Sequence, residues 1–151
     1  MQGKIEGRIV GIEDEVDYRG TTQKVVEVEV SDGNTIKVFD ETGSLGEDMV
    51  GESRQMSLMF LVESAEAHSL ERAIDPEEGS EPYYCLVSGE VQEKGLREHE
   101  NSVLNLLSLD VGQGTVLVKF DETNGIWTDI SEGDTIRVLA NKIVLLDLVS
   151  N

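Results

Sequence analysis

The string KVFDET at 37–42 returns as VKFDET at 118–123, and that near-repeat narrows what the chain can fold into. Placed in register, VSDGNTIKVFDET (30–42) aligns without gaps on VGQGTVLVKFDET (111–123). Upstream, Val26, Val28 and Val30 fall on Leu107, Leu109 and Val111, an apolar face at the strand period of two. EGRIV (6–10) faces GEVQE (89–93) with one residue of slippage. GEDMVGESRQMSLMFLV parallels the first part of WTDISEGDTIRVLANKIVLLDLV, with one extra residue in the second copy. Two units are too few for a solenoid, so the expectation is one folding unit used twice.

Each copy presents its elements in the same order. A first strand is expected at 4–12 and 84–93, and a long second strand at 23–31 and 103–111. The Gly turns SDGN and GQGT then lead into third strands at 34–39 and 115–120. A polar, Gly-bearing connection precedes further strands at 53–62 in copy one, and at 134–140 and 142–149 in copy two. The apolar residues are mostly Val, Leu and Ile, which favours strands over helices. Five short strands with a long connection after the third suit a small Greek-key barrel. Between the copies, ESAEAHSLERAID (63–75) carries good helix formers, and PEEGSEP then breaks the pattern. Copy one lacks an obvious fifth strand; PYYCLVSGEVQ is the candidate to supply it and to continue into the first strand of copy two, in which case the barrels share a seam.

The pattern Gly-x-hydrophobic, alternating strand, Asp-Gly turn, strand ending in an aromatic, then Gly-Asp resembles OB-fold domains. It looks most like those of the replication protein A type. The matching residues are Gly7, Ile9, Asp32, Gly33, Ile36, Val38 and Phe39 in copy one. In copy two they are Gly89, Val91, Gly114, Leu117, Phe120, Gly133, Asp134, Ile136 and Val138. The resemblance implies an all-β fold of two tandem OB-like five-stranded Greek-key barrels, with a short helical or loop insertion between them. The first barrel is then 1–63, the insertion 64–82 and the second barrel 83–151. It also implies a non-catalytic module that binds single-stranded DNA or RNA, or alternatively a protein partner.

An OB-fold binds on the face of its second and third strands, with stacking aromatics and a basic groove. Inward Val26, Val28 and Val30 turn Glu27 and Glu29 outward, where phosphates would pass; in copy two the outward slots hold Ser108 and Asp110. On the third strand, Thr35, Lys37 and Phe39 share a face, whereas Phe120 shares its face with Val116 and Val118 and reads as core. Tyr18, Arg19, Lys24, Lys37 and Phe39 form the basic-aromatic set that a nucleic acid would require. Trp127 in NGIWTD is placed to cap a barrel mouth. The formal net charge is −19, which repels polyanions at low salt and is also what adaptation to a salty cytoplasm would produce; the acidic outward positions favour an acidic protein–protein adaptor as the alternative.

Chemistry-bearing motifs are missing from the sequence. Cys85 stands alone in the apolar run YYCLV and is expected buried and inert. His68 and His99 are isolated, and no HExxH, paired Cys, Walker loop or nucleophile elbow occurs. The expectation is therefore no enzyme, no cofactor and no metal. No run of about 18 apolar residues or secretory leader is present, so a cytoplasmic protein with no membrane partner is expected. Nothing in the sequence fixes an oligomeric state.

Overall fold

Alternation in KIEGRIV buries Ile5, Gly7 and Ile9 and exposes Lys4, Glu6 and Arg8, so the segment extends as β1 (Lys4–Val16). The computed structural model describes residues 3–16, 19–67, 72–76, 83–99, 102–121 and 125–149. After β1 come β2 (Thr22–Val30), β3 (Thr35–Phe39), β4 (Ser53–Ala67) and β5 (Ala73–Pro76). Then follow β6 (Cys85–His99), β7 (Ser102–Asp110), β8 (Gly114–Phe120) and β9 (Thr135–Leu148). Two short 3₁₀ turns, Glu47–Met49 and Gly125–Asp129, are the helical elements among the described residues. The fold is all-β and barrel-like.

Strand pairing closes on itself twice. One ring runs β1–β2–β3–β9–β4 and back to β1; the other runs β6–β7–β8–β4–β9 and back to β6. Both rings use β4 and β9, which are long enough to serve each in turn. Ser53–Met56 of β4 pairs with β1, whereas Met59–Leu61 runs parallel to Leu117–Lys119 of β8. Thr135–Ala140 of β9 pairs with β6, whereas Val144 meets Phe39 of β3, also in parallel. Between them β4 and β9 form an antiparallel seam from Met56↔Leu148 to Ala67↔Ile136. Register shifts at Leu61/Val62 and Val62/Ser64 change the pleat phase where the seam passes from one ring to the other. Buried side chains from both rings, including Ile9, Val28, Phe60, Val91, Leu107, Val118 and Ile143, make one continuous core.

Local details recur at a spacing of 82 residues. The β1–β2 ladder slips between Ile9 and Gly11, and the β6–β7 ladder slips between Val91 and Glu93. Ile9 N–H donates to the Glu52 carbonyl at 2.9 Å, and Gly51 N–H to the Ile9 carbonyl at 2.7 Å. Val91 N–H donates to Asp134 and Gly133 N–H to Val91, both at 2.8 Å. Gly51 (φ 95°) and Gly133 (φ 92°) both take the left-handed conformation that these turns need.

Three expectations are corrected here. ESAEAHSLERAID does not form a helix among its described residues: Glu63–Ala67 continues β4, and Ala73–Asp75 belongs to β5. Val62 and Ala65 pack on the core and pair with β9, so tertiary contacts override helix propensity. PYYCLVSGEVQ does not complete the first copy either. Its strand residues lie in β6, which pairs with β5, β7 and β9, while β9 takes the place beside β3. Residues expected as separate strands at 134–140 and 142–149 are the single strand β9.

Candidate functional site on the third strand

The two hairpins leading into β3 and β8 differ by one residue. Val30 N–H donates to the Asn34 carbonyl at 2.9 Å, enclosing Ser31, Asp32 and Gly33. Val111 N–H donates to the Gly114 carbonyl at 3.0 Å, enclosing only Gly112 and Gln113. Inward Val26 and Val28 pair with Val38 and Ile36; inward Leu107 and Leu109 pair with Val118 and Val116. The gapless match of the two FDET strings is therefore one residue out of step with the fold. A one-residue offset turns a strand's side chains to the opposite face. Phe120 lies in the core at the place that Asp40 takes in the first ring, and Phe39 takes the place of Lys119 on the outside.

Asp40, only 4% exposed, ties down the chain leaving β3. Its carboxylate accepts from Leu45 N–H at 2.8 Å, Ser44 N–H at 3.1 Å and Thr42 Oγ1 at 3.2 Å. These bonds seat Leu45, fully buried, in the core. In the second ring Phe120 packs on Trp127 with ring centres 5.3 Å apart. Lys94 lies 4.6 Å above Trp127 and donates to the Trp127 and Ile130 carbonyls at 2.6 and 2.7 Å. Trp127 is half-buried and packs against the core.

Outside the first ring, Phe39 is 6% exposed yet belongs to no part of the continuous core. Its cover is Tyr83, which lies in the turn before β6. The rings meet edge to face with centres 4.8 Å apart and planes at 67°. Lys37 stands 5.7 Å from the centre of the Tyr83 ring, and Lys142 of β9 stands 4.6 Å from that of Phe39. The Tyr83 hydroxyl donates to the Glu15 carboxylate on β1, and Lys142 pairs with Glu41 at 3.1 Å. Beta-strands of both copies thus meet on one outer patch.

Of the residues expected to contact nucleic acid, Lys37 and Phe39 come together here. Lys24 turns away and donates to the Leu45 carbonyl at 2.8 Å. Arg19 lies in the exposed turn before β2, engaged in an interaction of its own. Tyr18 lies outside the described residues. Sequence reasoning missed Tyr83, Lys142, Glu15 and Glu41; Tyr83 and Lys142 reach Phe39 because β9 lies beside β3 and pairs with β6.

Acids dominate the adjoining outer face. Glu27 and Glu29 project from β2 beside Lys37 and Thr35. Arg8 is tied to Glu29 at 3.3 Å, and Arg72 bridges Glu90 at 2.7 Å and Asp110 at 3.0 Å. A shallow cleft of about 190 Å³ lies between Glu6, Arg8, Glu29, Ser31 and Ser53. It is below the roughly 300 Å³ at which drug-sized ligand sites begin. Cys85 is buried; desolvation, with Asp75 nearby, pushes its thiol up to about 12. Among the described residues no group of three His, Cys, Asp or Glu side chains converges for a metal, and no helix is long and apolar enough to cross a membrane. No family model matches the chain, and no curated protein matches it in sequence.

Proposed function

We propose that the two rings are OB-like barrels descended from one duplicated unit, and that the chain is a non-catalytic adaptor for a protein partner carrying basic residues. In support, each ring meanders through three strands and then closes with a parallel pairing beside the third, the Greek-key departure such a barrel requires. The repeated bulges and turn hydrogen bonds fit a common origin. One observation carries the choice of partner: the outer face of β2 presents Glu27 and Glu29, and the nearby Arg8 is already paired with Glu29. Phosphates tracking this face would meet carboxylates, whereas Lys and Arg side chains would find complementary charge.

A nucleic-acid reading draws on the Phe39, Lys37 and Lys142 cluster, but Tyr83 covers the ring a base would need. Fluorescence anisotropy across a salt series decides between the two ligands. A labelled Lys-rich peptide is expected to bind and to weaken as salt rises, and labelled oligothymidylate to stay free even at low salt. Glu27→Lys with Glu29→Lys should weaken peptide binding more than charge reversal at exposed Glu132 on the second ring. Salt-sensitive oligothymidylate binding, with no peptide binding, would replace the adaptor by a single-strand binder.

A further inference from the structure

We propose that Phe39, Lys37, Lys142 and Glu15 form a cradle for an aromatic side chain, with Tyr83 as its built-in occupant, and that a partner's tyrosine flanked by Lys or Arg displaces it. The site rests on the reading of this outer face as the binding surface. Each element of the cradle addresses a different part of a phenol. Phe39 meets the ring edge to face at 4.8 Å, Lys37 lies over the ring at 5.7 Å, and Glu15 accepts from the hydroxyl. Lys142 approaches Phe39, 4.6 Å from its ring centre, and is fixed there by Glu41. Such recognition of ring, charge and hydroxyl together is what tyrosine anchors use at protein interfaces.

Tyr83 is suited to leave. It belongs to no strand and is only partly buried, while Phe39 is kept from water by being covered. Its side-chain contacts include an aromatic pair and a distant cation, each of modest strength, and a hydrogen bond to a partly exposed carboxylate. A partner supplying an equivalent ring loses nothing at the cradle and adds its basic flanks against Glu27 and Glu29, which lie on the adjoining strand. The second ring offers no counterpart, because Phe120 points into the core.

Isothermal titration calorimetry on the whole chain tests this with N-acetyl-L-tyrosinamide, the peptides Ac-KKYKK-NH2 and Ac-KKAKK-NH2, and oligothymidylate. Tyr83→Ala, with cooperative unfolding first verified, should bind N-acetyl-L-tyrosinamide about tenfold more tightly than the native chain, the scale of one ring pair with a cation. Adding Phe39→Leu should abolish that gain. Tyr83→Phe keeps the ring but frees it from Glu15, and should show a smaller gain. Ac-KKYKK-NH2 should outbind Ac-KKAKK-NH2 by about tenfold on Tyr83→Ala. No gain in either Tyr83 variant, or a gain indifferent to Phe39→Leu, overturns the cradle. Equal binding of the two peptides, or preference for oligothymidylate, overturns the proposed occupant. Failure of Ac-KKAKK-NH2 to bind the native chain would count against the basic partner alone, since tyrosinamide carries no positive charge.

Discussion

The third strands of the two rings spell almost the same word and use it on opposite faces. Phe120 sits inside its ring, fully buried beside Val116 and Val118, whereas Phe39 sits outside and meets water's edge under Tyr83. The difference originates in a turn: the first hairpin encloses Ser31, Asp32 and Gly33, the second only Gly112 and Gln113. One extra residue in a loop reversed the role of a whole strand, because side chains alternate with a period of two. Identical letters in register are thus no guarantee of equivalent positions. With the longer turn the aromatic at the end of β3 lies on the outer surface, and a carboxylate, Asp40, organises the loop that follows.

The sharpest way to break this comparison is to truncate both rings of phenylalanine. Phe120→Ala should cost about 3–5 kcal/mol, the range for a large core aromatic. Phe39→Ala should cost less, about 2–3 kcal/mol, since it loses a buried ring and its edge-to-face pair but leaves no cavity inside the continuous core. Urea unfolding of the two variants checks the ratio, and equal losses would mean that the faces are not opposed as described.

The paired glycines at the start of each ring offer a second contrast. A Cβ on Gly89 would lie 2.3 Å from the Asp110 carbonyl oxygen, and one on Gly7 would lie 2.3 Å from Val28 Cγ1. Backbone cannot swing aside as a side chain can. Gly89→Ala should therefore cost about 2–3 kcal/mol and Gly7→Ala about 1–2 kcal/mol, within the range for overpacking. Thermal melts that rank them the other way would show that the second ring yields more readily than the first.

Smallest in magnitude, but closest to the repeated string, is the aspartate contrast. Asp40→Ala removes the acceptor for three donors and should cost about 2 kcal/mol. Asp121 is exposed, and Asp121→Ala should cost less than Asp40→Ala. Chemical denaturation resolves a gap of this size, and its absence would remove the loop-organising role given to Asp40.

Much of the local structure was legible. The alternation of Val26, Val28 and Val30, the inward set of Val116, Val118 and Phe120, the outward Glu27 and Glu29 and the buried Cys85 all followed from period and polarity. What escaped was long-range. The phase slip depended on which backbone groups close each hairpin, which one-residue differences in a Gly-rich turn do not announce. The exchange of β4 and β9 depends on strands continuing past the point where their own ring ends, and SAEA carries more helical than strand preference. The same exchange hid half of the candidate site. Tyr83 and Phe39 stand far apart in sequence, and no spacing rule joins a tyrosine in a turn to a phenylalanine at the end of another copy's strand.

The shared seam also sets how this protein can fail. Since β4 closes the second ring and β9 closes the first, neither half owns all of its staves. A cut in the polypeptide between the copies would leave two pieces still clasped, like hands with interlocked fingers. Unfolding of one half would strip the other of a wall, so heat or denaturant should meet a single all-or-none transition. What reads along the chain as two modules in succession behaves, mechanically, as one object that cannot be taken apart by degrees.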